Sequence, residues 1–191
     1  KGIAYRNVPI DLNHGHQQTL VGMTTFEVIH EDIINELTQM YPLIRNLIKE
    51  DQPIIETGFK KWAENIIANG VPHNNWDLFQ ADFIVKIALI LQDNQVYADG
   101  KGKQYYLDYV VNQNSIRQWS LNKLIDFGFD QKAKTWYESP GYSTTVLSTL
   151  CDFTNMLDEK AGIDMFKQRP ILIDGVKTSA EYLFPNRMIA G

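Results

Sequence analysis

The sequence predicts an all-α fold, on three observations. Apolar residues recur at three- and four-residue steps in one segment after another. No segment alternates apolar and polar residues convincingly as a half-buried strand does. The segments are separated by short breaks that contain Gly, Pro and Asn. Successive helices joined by short links pack as antiparallel pairs, in a bundle, a solenoid or a helical toroid, and periodicity alone does not choose among these.

Each helix has its own signal. Ile29, Ile33, Leu37, Met40, Ile44 and Leu47 fall on one helix face, and Pro42 within that pattern predicts a kink or a split into two helices. A second helix is expected over 54–68, closed by Asn69-Gly70 and then Pro72. Phe79, Phe83, Ile87, Ile90 and Leu91 mark a third, the most apolar. The stretch 93–103, with two glycines, reads as a loop. Further helices are expected over 105–111 and 121–127, joined by a polar link around 112–115. Ser139-Pro140 opens the next, with serine as N-cap and proline at the first helical position. Its core face is Val146, Leu150, Phe153 and Leu157. A short last helix over 175–182 runs into Leu183-Phe184-Pro185.

At 191 residues the chain is long enough for one well-buried core, and a single domain over 1–191 is expected. It opens at Lys1 and stops at Gly191 after an apolar stretch, so it reads as a piece of a longer protein, and a processed N-terminus fits its start equally. Its hydrophobic and charged fractions, 44% and 21%, are those of an ordinary soluble globular chain. The single cysteine, Cys151, excludes an intramolecular disulfide and a cysteine metal cluster. No metal or cofactor is expected. The longest apolar run, 83–91, is broken by Lys86 and is far too short to span a bilayer. A net charge of −5 argues against nucleic acid as a partner. An anionic glycan would need a local basic groove, because a site responds to its own field more than to total charge.

Three polar-aromatic clusters interrupt the apolar pattern. In Asn13-His14-Gly15-His16-Gln17-Gln18, two histidines bracketed by amides can hydrogen-bond a sugar or move a proton near neutral pH. The same residues also fit a solvated helix start capped by Asn13. In His73-Asn74-Asn75-Trp76, paired amides suit hydroxyls or a carboxylate, and the indole face suits sugar carbons. Alternatively an asparagine caps the following helix and Trp76 joins the core. In Trp136-Tyr137-Glu138-Ser139-Pro140-Gly141-Tyr142-Ser143, the small residues leave room beside Tyr142. Its hydroxyl then faces a cleft, or the segment is a capping motif with a packed tyrosine.

Asn-Asn-Trp ahead of an apolar helix, then Glu138-x-Pro140-x-Tyr142 ahead of another, resembles the catalytic-domain pattern of heparinase II/III-like polysaccharide lyases. Tyr182-Leu183-Phe184-Pro185-Asn186 resembles the region where such proteins pass from the helical toroid to a β-sandwich domain. The likeness covers most of the chain from Val71 on, and the Asn-His-Gly-His cluster more loosely. It implies an incomplete (α/α) toroid of antiparallel helix pairs, or the C-terminal part of one, with a β-sandwich domain lying outside this chain. It implies an acidic, uronic-acid-containing polysaccharide or oligosaccharide as substrate, and secretion or a bacterial periplasmic location. By position, Asn75 pairs with the uronate carboxylate and Tyr142 transfers the proton, with His14 as a further catalytic candidate. Asn13, His16, Gln17, His73, Asn74, Trp76, Trp136 and Glu138 are the substrate-binding candidates. Alginate- and heparin-type members often carry histidine directly after the asparagine, and here that place is Trp76.

β-Elimination takes the proton from C5 of a uronic acid and expels the oxygen on C4. A neutral amide donating to the carboxylate stabilises the enolate-like charge that develops, and donors placed where charge develops are usually the largest catalytic contribution. A base must reach the C5 hydrogen. Tyrosine, with an ordinary pKa of about 10, needs a neighbouring positive charge or strong donor to act as that base. Arg117, Lys123, Lys132 and Lys134 lie in the right section of chain. Tyr142 acts as base and acid, or as acid alone with a histidine as base. Two other classes fit the sequence. A toroid glycoside hydrolase would use two carboxylates among Asp77, Asp130 and Glu138. A non-catalytic glycan-binding protein would use Trp62, Trp76, Trp119 and Trp136.

Overall fold

The most apolar segment sets the arrangement of the first half of the chain. The structure, a computed structural model, describes residues 33–72 and 75–181. It places eight α-helices in them and no strand, only an isolated bridge between Phe129 and Trp136. All-α is therefore the class observed. None of the helices among the described residues is long and apolar enough to cross a membrane. The chain divides into two compact units, Lys1–Lys123 and Leu124–Gly191, which are taken one at a time.

In the first unit α1 spans Ile33–Ile44, α2 Gln52–Asn69, α3 Asn75–Ile90 and α4 Lys103–Asn112, with a 3-10 turn at Asn94–Val96. Eleven of the sixteen residues of α3 are buried. Its buried residues are spread round the helix and not gathered on one stripe, as in a central helix. It packs against α1, α2 and α4. The loop ahead of α4 is folded by its own polar groups: Asn94 Oδ1 accepts from the Gly102 and Tyr105 amides at 3.0 and 2.9 Å.

Two details of α1 depart from the expectation. Pro42 neither kinks a longer helix nor splits it in two; it lies in the final turn of a helix that ends at Ile44. Its missing N–H deprives the Thr38 carbonyl of its usual donor, and the helix runs only two residues beyond it. The buried face is also turned by one residue. Ile34, Thr38 and Tyr41 are inside, whereas Ile33, Met40 and Leu47 are 45%, 48% and 84% exposed. Thr38 tolerates burial by donating to the Ile34 carbonyl at 2.7 Å, and Tyr41 by donating to Glu56 at 3.0 Å.

A fifth helix, α5, spans Leu121–Gly128 and crosses the boundary between the units. The second unit is built on α6, Pro140–Ala161, against which α7 (Met165–Gln168) and α8 (Ile171–Glu181) pack. Ser139 is the N-cap residue of α6, as expected, but its side chain makes no capping bond. The last helix begins at Ile171, after Pro170, four residues earlier than its sequence signal. Between Gly128 and Pro140 the chain makes a tight turn. Asp130 Oδ1 accepts from the Lys132 and Ala133 amides at 2.8 and 2.6 Å. Trp136 stands edge-on to Phe129, ring centres 5.5 Å apart.

The Trp136 indole lies directly over Gly128, where a Cβ would enter the ring. Gly128→Ala is therefore expected to lower stability by about 1–3 kcal/mol, the usual cost of overpacking. Thermal melting measures it. A melting temperature equal to that of the unaltered protein would show that the indole moves aside freely.

Candidate functional site

The candidates divide between the two units. His14, Asn13, His16, Gln17, His73 and Asn74 lie outside the described residues. Asn75 and Trp76 begin α3 in the first unit, both half-buried. Glu138 and Tyr142 belong to the second.

Asn75 stands on a firmly held stretch. Two residues on, the wholly buried Asp77 accepts from the Trp119 amide at 3.1 Å and from the Gln118 side-chain amide. Gln118 also accepts from Gln80 Nε2 at 2.8 Å, and Gln80 Oε1 accepts from the Val71 amide at 2.7 Å. The link from α4 to α5 is thus folded down onto the head of α3. Ser115 Oγ shapes this link by accepting from the Arg117 and Gln118 amides at 3.1 and 2.9 Å. The same link carries Arg117 and Trp119, and Lys123 Nζ lies 3.7 Å from the centre of the Trp119 ring. Positive charge and an indole therefore belong to the segment bonded to Asp77.

Tyr142 lies in the first turn of α6 and is 62% exposed. The adjacent Ser143 is buried, with Val146, Leu147 and Leu150 continuing that face. A Cβ on Gly141 would meet nothing within 4 Å. The tyrosine thus points away from the core of its own helix into open space. Glu138 is exposed, yet partial loss of water around its carboxyl raises its pKa above the ordinary value. Trp136 is different. At 4% exposure and packed on Phe129, its ring supports the turn from within and is not offered to a sugar.

The remaining carboxylates proposed from sequence have structural roles. Asp130 is held below its ordinary pKa by the Ala133 and Lys132 amides and serves the turn. Asp77 is sealed from solvent by the donors described above. Trp62 is 3% exposed and belongs to the core.

An open groove of about 1600 Å³ runs along α1 and α2, lined by Leu37, Ile44, Ile54, Lys60 and Tyr97 among others. Among the described residues singled out from sequence for function, Trp62 alone lines it. Beside it the buried Glu56 accepts from Tyr97, Gln52 and Tyr41. No local sequence signal names the distant partners of Gln118, Gln80 and Glu56, which are Asp77, Gln118 and Tyr97. No protein-family model, curated protein or solved structure matches the chain.

Proposed function

We propose that the chain is the helical catalytic part of a secreted or periplasmic polysaccharide lyase. Its helix pairs form an open (α/α) toroid that binds a uronic-acid-containing glycan and cleaves it by β-elimination. The exposed position of Tyr142 carries this reading: its ring lies off the core face of α6, beside the open space at Gly141. A packed tyrosine in a simple capping motif would have been buried.

In this scheme Asn75 donates its side-chain amide to the uronate carboxylate and so favours the charge that builds on it when the C5 proton leaves. Tyr142 gives a proton to the departing C4 oxygen. It takes the C5 proton as well, or a histidine does. Two observations lower the standing of a hydrolase, which needs two carboxyl groups flanking the bond. Asp130 is engaged by a turn, and Asp77 is buried under amide donors. Glu138, with its raised pKa, remains a suitable acid and keeps that reading open to test.

The product decides. The full-length protein is incubated with a panel of uronate polysaccharides, and near-ultraviolet absorbance of the unsaturated sugar is followed. A lyase produces that absorbance and a hydrolase only new reducing ends. Glu138→Gln is expected to leave a lyase impaired but active. A hydrolase that depends on this acid would lose on the order of a hundred- to ten-thousand-fold.

A further inference from the structure

Asp77 is a carboxylate with no surface exposure, set two residues after Asn75. Burying a charge is costly unless hydrogen bonds replace the lost water, and here they come from two places on the α4–α5 link. The Trp119 amide donates to Oδ2 at 3.1 Å, and Gln118 Nε2 donates to Oδ1. The Gln118 amide group also lies 3.3 Å from the Asp77 carbonyl oxygen and 3.2 Å from that of Trp119. Beyond Gln118 the network runs through Gln80 to the Val71 amide.

Chain on both sides of Asn75 is therefore held, at Val71 before it and at Asp77 after it. Gly70 permits the close approach. A Cβ there would stand 2.5 Å from Gln80 Nε2, 2.7 Å from the Arg117 carbonyl oxygen and 2.8 Å from that of Ile66. Packing alone does not require a carboxylate at this point, since an apolar side chain fills space without the desolvation cost. A carboxylate suits this point because it takes the main-chain N–H on one oxygen and the side-chain amide on the other.

We infer that Asp77 is a positioning residue: bonded to Gln118 and the Trp119 amide, it fixes the head of α3 so that the Asn75 amide is preset for a uronate carboxylate. This inference rests on the lyase reading and extends it to a residue that touches no substrate. Preset donors act in the transition state without reorganising, and displacement of about 1 Å can cost on the order of a hundredfold in rate.

The test is a double-mutant cycle in the full-length protein, read as unsaturated product. Asp77→Asn is expected to lower kcat about ten- to a hundredfold while KM changes less than about threefold. In an Asn75→Ala background the same substitution is expected to cost less than about threefold, because its effect passes through Asn75. Equal losses in both backgrounds overturn the inference and leave the lyase reading intact. Absence of unsaturated product from the unaltered protein overturns that reading, and the role of Asp77 with it. Gln118→Ala, which removes the donor and keeps the carboxylate, serves if Asp77→Asn fails to fold and is expected to give the same cycle. Amide exchange reads the clamp without the reaction. The Trp119 N–H is expected to exchange at least about tenfold faster in either variant while the slowest amides of α3 hold their rates. An unchanged Trp119 rate overturns the clamp.

Discussion

Tyr142→Phe is expected to lower turnover on a uronate polysaccharide by roughly a hundred- to ten-thousand-fold, the range that general acid–base groups contribute. The melting temperature should stay close to that of the unaltered protein. The stability half follows from position and the turnover half from the proposed role. The ring is 62% exposed in the first turn of α6, so loss of one hydroxyl removes no core contact. Under the proposed mechanism, the proton given to the C4 oxygen has no replacement once the hydroxyl is gone. Because the proposed mechanism uses Tyr142 in the transition state, kcat should fall while KM moves little. Single-turnover product formation and thermal melting, measured on the same preparation, check the two halves together. A folded Tyr142→Phe protein with normal lyase activity would refute the mechanism and leave the all-α fold untouched.

The parts of the fold that were legible in sequence are those where one physical preference dominates. The helix α3 is the most apolar segment of the chain, so its existence follows from composition. The start of α6 follows from proline at a position where no N–H is needed. The buried face of α1 lies one residue from the face that periodicity predicts, because Thr38 and Tyr41 are polar in type yet buried in fact. Each is admitted by a bond, one to the helix backbone and one to Glu56. Hydrophobic periodicity cannot register such residues. Trp136 shows the converse, a buried ring in a polar stretch. It sits in a polar stretch that reads as surface, but Gly128 opens a place for its ring and Phe129 closes it. The Asp77–Gln118 contact joins residues 41 apart, and neither has a local pattern that names the other.

The largest effect on stability is expected at Glu56, which is 1% exposed and joins α1, α2 and the chain after α3. Tyr97, Gln52, Tyr41 and Gln92 donate to it at 2.7, 2.8, 3.0 and 3.2 Å, with Arg45 at 3.5 Å. Burial alone would raise its pKa, but the bonds from Tyr97, Gln52, Gln92 and Tyr41 prevail and leave it below the ordinary value. Glu56→Ala strands these donors together and is expected to cost about 3–5 kcal/mol, as when one partner of a buried polar pair is removed. The pH dependence has two limbs. Glu56 has a lowered folded pKa, so its contribution is present above the unfolded value of about 4.3 and is lost as pH falls through the folded value. Tyr41 is pushed up to about 12, by burial first and then by its bond to Glu56. Its contribution is complete below the unfolded value of about 10 and is lost as pH rises through the folded value. Stability should therefore be level near neutrality and fall on both sides. In Glu56→Ala the acid limb should flatten, and the alkaline limb should shrink without vanishing, because burial still acts on Tyr41. Chemical denaturation of both proteins across that pH range measures both limbs, and an acid limb of the same slope in each would show that Glu56 does not govern it.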